Sequence, residues 1–178
     1  MANLKIIGIT GNSGVGKTSI SKKLSKKLCC PYIDVDKPLL GSELFADKNK
    51  IPNFANLKPE HFKLLTDSLE DANSYLSILI NGLVEKEFET ISQGNDIIIV
   101  EWMLLPYLKI WNKCDKKVLI TADENLRKSN SIKNNLISES EYDKCFNLVK
   151  VEYDNFNYDY IFDNKYDESS IIKILEKF

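Results

Sequence analysis

The chain has 178 residues, 43% of them hydrophobic and 28% charged, with a net charge of −2. That is enough for one domain with a proper core and an inserted subdomain. A near-neutral balance gives no general attraction for nucleic acid or an anionic membrane, so any affinity for phosphate must be local.

The first element is the apolar run Leu4-Lys5-Ile6-Ile7-Gly8-Ile9, which reads as a buried strand. Next comes G-N-S-G-V-G-K-T, Gly11 to Thr18, which fits G-x-x-x-x-G-K-[ST] at every fixed position. Ile20, Leu24 and Leu28 then recur at helical spacing, with Lys22, Lys23, Lys26 and Lys27 on the other sides. Strand, glycine loop and helix form the setting the motif requires.

Triphosphate oxygens need many donors close together, and backbone N–H groups supply them more densely than side chains. Gly11, Gly14 and Gly16 allow that approach, and the helix start adds unpaired N–H groups and a positive dipole end. Asn12, Ser13, Val15 and Ser19 complete the expected nucleotide-binding loop. Lys17 supplies a mobile positive charge for the β- and γ-phosphates, and Thr18 offers a hydroxyl to Mg²⁺. The expected ligands are ATP and Mg²⁺.

Tyr32-Ile33-Asp34-Val35-Asp36 reads as a second strand with both acids on one face. Asp36 would end that strand beside the glycine loop, within reach of a γ-phosphate. Residues 37 to 59 read as loops and short helical turns, and a long helix is expected from about Ser68 to Ser92. Residues 37–95 would form an acceptor-binding insert.

Asp96-Ile97-Ile98-Ile99-Val100 is the most apolar strand and runs into Glu101, which would stand on the Mg²⁺ side of the site. Leu104, Leu105, Pro106 and Trp111 read as packing. Val118-Leu119-Ile120-Thr121 is a fourth strand, and Asp123 caps a helix carrying Arg127 and Lys128. The polar run Ser129 to Asn135 reads as a loop, and Ser138-Glu139-Ser140-Glu141 as a capping box for a further helix. Residues 123–150 would make a lid over the phosphates. Arg127 is the sole arginine of the chain. A last strand, Tyr158 to Phe162, precedes the turn Asp163-Asn164-Lys165 and a terminal helix with Ile171, Ile172, Leu175 and Phe178 at core spacing.

His61 is the only histidine, and Cys29, Cys30, Cys114 and Cys145 lack metal spacing. A His-rich zinc site and a Ser-His-Asp triad therefore lack parts, and the cysteines read as small buried apolar groups. No stretch approaches the roughly 20 apolar residues of a membrane span, and the first strand begins too early for a signal peptide. The expectation is a cytoplasmic protein, a monomer or small homo-oligomer.

Strands and helices alternate five times, which predicts a three-layer α/β fold with a five-stranded parallel sheet and helices on both faces. Short strands after the glycine loop suit a small-molecule kinase, and no N-K-x-D run for guanine is present.

With these motifs in order, the chain resembles the dephospho-coenzyme A kinases. I-I-G-I-T-G-N-S-G-V-G-K-T is similar to their opening strand and loop, and Y-I-D-V-D-K to their I-D-A-D segment. S-L-E-D-A-N-S-Y-L-S-I-L-I-N-G-L-V-E-K-E-F resembles the helix carrying H-P-L-I, with Asn81-Gly82 in place of His-Pro. D-I-I-I-V-E-W-M-L-L resembles the strand ending in D-x-P-L-L, and Y-D-Y-I-F-D-N-K resembles A-D-Y-V-I-D-N.

The resemblance implies transfer of the ATP γ-phosphoryl group to the ribose 3′-hydroxyl of dephospho-CoA. Asp36 would be the general base, Lys17 and Arg127 would stabilise the transferring group, and Lys133 would stand in the lid. Asp36, Asn81 and Glu101 would meet the acceptor, Thr18 and Glu101 the metal, and Asn164 would lie in the loop against adenine. Met103 replaces the family's proline, and Cys145 stands where a lid arginine is expected. The strand I-I-I-V-E-W-M-L-L is also similar to that of uridine-type kinases, which gives a nucleoside or nucleotide acceptor as the alternative. A catalytically silent ATP-binding regulator is the third.

Overall fold

The structure, a computed structural model, describes residues 4–40, 59–133, 142 and 151–178. Five strands form one parallel sheet: β1 (Lys5–Thr10), β2 (Tyr32–Asp34), β3 (Ile97–Glu101), β4 (Lys116–Thr121) and β5 (Tyr160–Asp163). Their spatial order is β2-β3-β1-β4-β5. Because β1 has β3 on one side and β4 on the other, the connections diverge there and open a crevice at the carboxyl ends of the strands. The register brings Ile9 level with Glu101, Asp34 level with Glu101, and Thr121 level with Asp163. The strand-end candidates for the site therefore collect along one edge.

The central strands are apolar on both faces because both faces are covered. On one face Ile7, Ile9, Ile99, Val118 and Ile120 pack with Ile20 and Leu24 of α1 (Lys17–Leu28) and with Ile174 of the terminal helix. On the other, Ile6, Ile33, Ile98, Val100 and Leu119 pack with Leu39 of α2 (Asp36–Leu40), Leu69 of α3 (Pro59–Glu70), and Ile80 and Val84 of α4 (Tyr75–Ser92). Each fully buried aliphatic contributes about 1.5–3 kcal/mol. Leu104, Leu105 and Trp111 are buried in short 3₁₀ turns and their approaches, the packing role expected of them.

Several expectations about the elements are corrected. The single helix from Ser68 to Ser92 is two, α3 and α4, separated at residues 71–74. Asp71 Oδ1 accepts from Asn73 N–H (2.9 Å), and Ser74 Oγ caps α4 by accepting from Ser77 N–H (3.0 Å). These short polar side chains compete with helical hydrogen bonding and break the run. The second strand stops at Asp34, and Asp36 opens α2, so the two acids do not share a strand face. The polar run from Ser129 is helical as far as Lys133, within α5 (Glu124–Lys133). Asp123 Oδ1 caps that helix at Asn125 and Leu126 N–H (3.0 and 3.1 Å), and Glu124 and Lys133 suit its two dipole ends. In α6 (Glu168–Leu175) Ser170 and Ile174 are buried and Ile172 is exposed, while Leu175 and Phe178 pack partly buried against the core.

The expected capping box at Ser138 lies outside the described residues, as does Cys145. Cys29 is an exposed thiol, contrary to expectation; Cys30 is buried. Among the described residues no helix is long and apolar enough to cross a membrane.

Candidate phosphotransfer site

The glycine loop joins β1 to α1, and its backbone makes demands that only glycine meets. Gly11 has φ +147°, and a Cβ there would lie 2.2 Å from Ile120 O on the neighbouring strand. Gly16, at φ +91°, caps α1, and a Cβ there would lie 2.6 Å from Asn164 Nδ2. Val15 is buried between them as the loop's apolar anchor, while Ser13 and Ser19 are exposed.

The loop is also held from outside. Asn164 N–H donates to Thr121 O (2.8 Å), and its Nδ2 donates to Val15 O (2.8 Å). Its Oδ1 accepts from Tyr166 N–H (2.9 Å) and Ser170 Oγ (3.3 Å). Tyr166, at φ +58°, donates its hydroxyl to Gly14 O (2.7 Å). The side chain of Asn164 is thus tied into the protein and shapes the phosphate loop. Tyr166 was not singled out in the sequence, where nothing but its place two residues after Asn164 could have marked it. On the far side, Asn12 Oδ1 accepts from Val151 N–H (3.2 Å).

Lys17 donates to Asn12 O (3.1 Å) across the loop. Burial holds its ammonium below the usual lysine range, with Arg127 pushing the same way, while Glu101, Asp36 and Asp34 pull it back up. A partly desolvated cation facing an anion-binding loop is poised for phosphate. Thr18 donates to Glu101 Oε1 (2.7 Å). Glu101 is 2% exposed, and burial raises its carboxyl above the ordinary range despite Lys17 and Thr18. Among the described residues no group of three or more His, Cys, Asp or Glu could hold a metal unaided. A hydroxyl and one buried carboxylate are hard oxygen donors that suit Mg²⁺ shared with a triphosphate.

Asp36 stands at the same edge, near enough for its charge to act on Lys17 and Glu101. Its Oδ1 accepts from Trp102 Nε1 (2.8 Å) and its N–H donates to Asp34 Oδ1 (3.3 Å). The residue is exposed as a whole, yet local desolvation of its carboxyl raises it, the indole bond and Lys17 oppose the rise, and Asp34 adds to it. Trp102 was missed in the sequence; its signal was an aromatic with one polar atom directly after a strand-end acid.

Two further expected residues are buried against protein partners. Asn81 is buried in α4, where Nδ2 donates to Ser77 O (2.8 Å) and Oδ1 accepts from Lys109 N–H (2.8 Å). Its hydrogen-bonding capacity ties α4 to the segment after β3, so the acceptor contact expected of it is corrected to a structural one. Arg127 is 4% exposed and donates through Nε to Tyr142 Oη (2.8 Å). Its charge acts on Lys17 from inside the protein, while Lys133 is exposed at the end of α5.

No curated protein matches the chain by sequence. Among solved structures it is similar to TT1252 from Thermus thermophilus, at 18% identity and TM-score 0.66, covering 98% of this chain and 96% of that one. It is also similar to shikimate kinase from Bacteroides thetaiotaomicron, at 18% identity and TM-score 0.60, covering 97% and 95%. Deoxyadenosine kinase from M. mycoides follows at 16% identity and TM-score 0.51, covering 97% of each. The parallel sheet with its glycine loop and flanking helices is thus the P-loop kinase fold. The model of the AAA domain matches residues 7–131, more than half of the sequence, and the chain belongs to that family.

Proposed function

We propose that the chain is an ATP-dependent phosphotransferase acting on the hydroxyl of a small molecule. The observation that carries this reading is the convergence of Lys17, Glu101 and Asp36 at one edge of the sheet, with Asp36 Oδ1 accepting from the Trp102 indole. ATP would lie with its phosphates in the loop of Gly11 to Thr18, and Mg²⁺ would be held by Thr18 and Glu101. When bound there, the metal would supply positive charge against the phosphate oxygens. Asp36 accepts the acceptor's proton as its oxygen bonds to the γ-phosphorus and the bond to the ADP oxygen breaks. Lys17 follows the charge that moves onto the phosphate oxygens. Arg127, paired with Tyr142, adds positive potential behind it.

The acceptor we favour, from the sequence resemblance, is dephospho-CoA at its ribose 3′-hydroxyl. A nucleoside acceptor is the second reading. It is supported by Glu101 in place of aspartate and by the fold shared with deoxyadenosine kinase. With Asn81 turned inward, neither acceptor is met by that side chain.

ADP release measured over dephospho-CoA, deoxyadenosine, uridine, cytidine, nucleoside monophosphates and shikimate tests the reading. Turnover with dephospho-CoA alone supports the first acceptor, and turnover with a nucleoside the second. Micromolar ATP binding with no turnover of any acceptor would leave a nucleotide-binding regulator. Asp36→Asn should lower turnover about a hundredfold or more and leave ATP affinity unchanged. Full activity in that variant removes the base.

A further inference from the structure

We propose that Trp102 is the positioning residue of the acceptor-side base, fixing Asp36 through one oxygen and leaving the other for the incoming hydroxyl. The inference rests on the phosphotransfer reading above and adds to it a residue that no motif marks.

Side chains alternate along β3, so Glu101 projects toward α1 and Trp102, next in line, falls on the opposite face with Ile98 and Val100. Two contiguous residues thereby serve the two halves of the site. The Trp102 backbone is fixed, because its N–H donates to Ile9 O (3.1 Å) and its carbonyl accepts from Leu105 N–H (3.4 Å). The side chain is 2% exposed, in the cluster that holds Val35, Leu39 and Leu104. A ring packed this closely has little freedom, and its one polar atom needs a partner. Asp36 provides that partner at 2.8 Å, across 66 residues of sequence.

For Asp36 the consequence is orientation. It opens a five-residue helix directly after β2, and a short carboxylate there has two side-chain torsions to lose. The indole bond fixes Oδ1, and among the described residues no hydrogen bond reaches Oδ2. The base is then held in place before the acceptor arrives, which removes an ordering cost from the reaction. A buried donor also favours the charged carboxylate, the form a base requires. Asp34 on β2, Lys17 on α1 and Glu101 on β3 face Asp36 as well, so its titration must be assigned by removing the carboxylate itself.

The test joins kinetics to a spectroscopic signal. Trp102→Phe keeps an aromatic ring and deletes the N–H. We expect kcat to fall about tenfold, the size of one hydrogen bond to a charged group, with KM for ATP unchanged. The acid limb of the kcat profile should move to higher pH, because the carboxylate has lost a donor. The chain has two tryptophans, so its indole ¹H–¹⁵N spectrum has two resonances. In the wild-type protein the Trp102 resonance should move with pH, the Trp111 resonance should not, and Asp36→Asn should abolish the movement. This arm needs no acceptor.

If Trp102→Phe matches the wild type in kcat and acid limb while Asp36→Asn is inactive, the positioning role is overturned and the phosphotransfer reading stands. A fall in kcat with no displaced limb and no titrating resonance makes Trp102 a packing residue, which also overturns it. An active Asp36→Asn removes the base and this inference together.

Discussion

Around the phosphate loop, polar side chains end on main-chain carbonyls: Asn164 on Val15, Tyr166 on Gly14, Lys17 on Asn12. On the side proposed for the acceptor the central bond runs from side chain to side chain, Trp102 to Asp36. The first region is a shaped backbone that side chains hold in place. The second is a set of side chains that a backbone delivers. Polyphosphate is common to every ATP-dependent reaction, so its cradle can be built from invariant peptide groups. An acceptor is particular, and side chains are the part of the chain that can vary without disturbing the fold. The two regions should therefore fail in different ways.

Gly11→Ala attacks the first region at its backbone. The added Cβ meets Ile120 O, a strand carbonyl that cannot move aside, at a φ that alanine rarely adopts. ATP affinity should fall by about a hundredfold or more with every acceptor alike, read by titration with a fluorescent ATP analogue. Retained affinity would show that the loop's shape is not what binds phosphate. A milder cut is Tyr166→Phe, which removes only the hydroxyl bonded to Gly14 O. The loss of one neutral hydrogen bond predicts roughly a fivefold weaker ATP complex. Acceptor KM should be untouched, and a change there would mean that the two regions are not separable.

The same division explains what could be read from residues alone. The central strands β1, β3 and β4 and the loop were legible because buried parallel strands are plain apolar runs, and because phosphate recognition through main chain imposes glycines at fixed intervals. The break between α3 and α4 was not, since it depends on Asp71, Asn73 and Ser74 outcompeting helical bonds within a run of good apolar spacing. Asn81 was misplaced for a related reason. Its position on the helix follows from sequence, but the partner that consumes it, the backbone of Lys109, is brought near only by the turn after β3. Trp102 and Asp36 are 66 residues apart, and no periodicity links them. Their meeting depends on β2 lying beside β3, a neighbourhood that the order of elements along the chain does not specify.

Glu101 sits where the two regions touch, and it separates stability from function. Burial raises its carboxyl, so the folded chain holds that proton more tightly than the unfolded chain does. The group's contribution is then fully present below the unfolded value of about 4.3 and is lost as pH rises through the raised folded value. Lys17 and the Thr18 hydroxyl offset the cost of burying its charged form only in part. Glu101→Gln keeps the shape and removes the charge. It should raise the melting temperature of the nucleotide-free protein at pH 7 by roughly 2–4 °C, the response of a domain this size to about 1 kcal/mol. The gain should shrink on acidification, as the wild-type residue itself takes up a proton. Added Mg²⁺ and ATP should stabilise the wild type more than the variant, which lacks the anionic donor. A lower melting temperature for Glu101→Gln at pH 7 would mean that attraction to Lys17 outweighs burial, and that the free site is already balanced without its ligands.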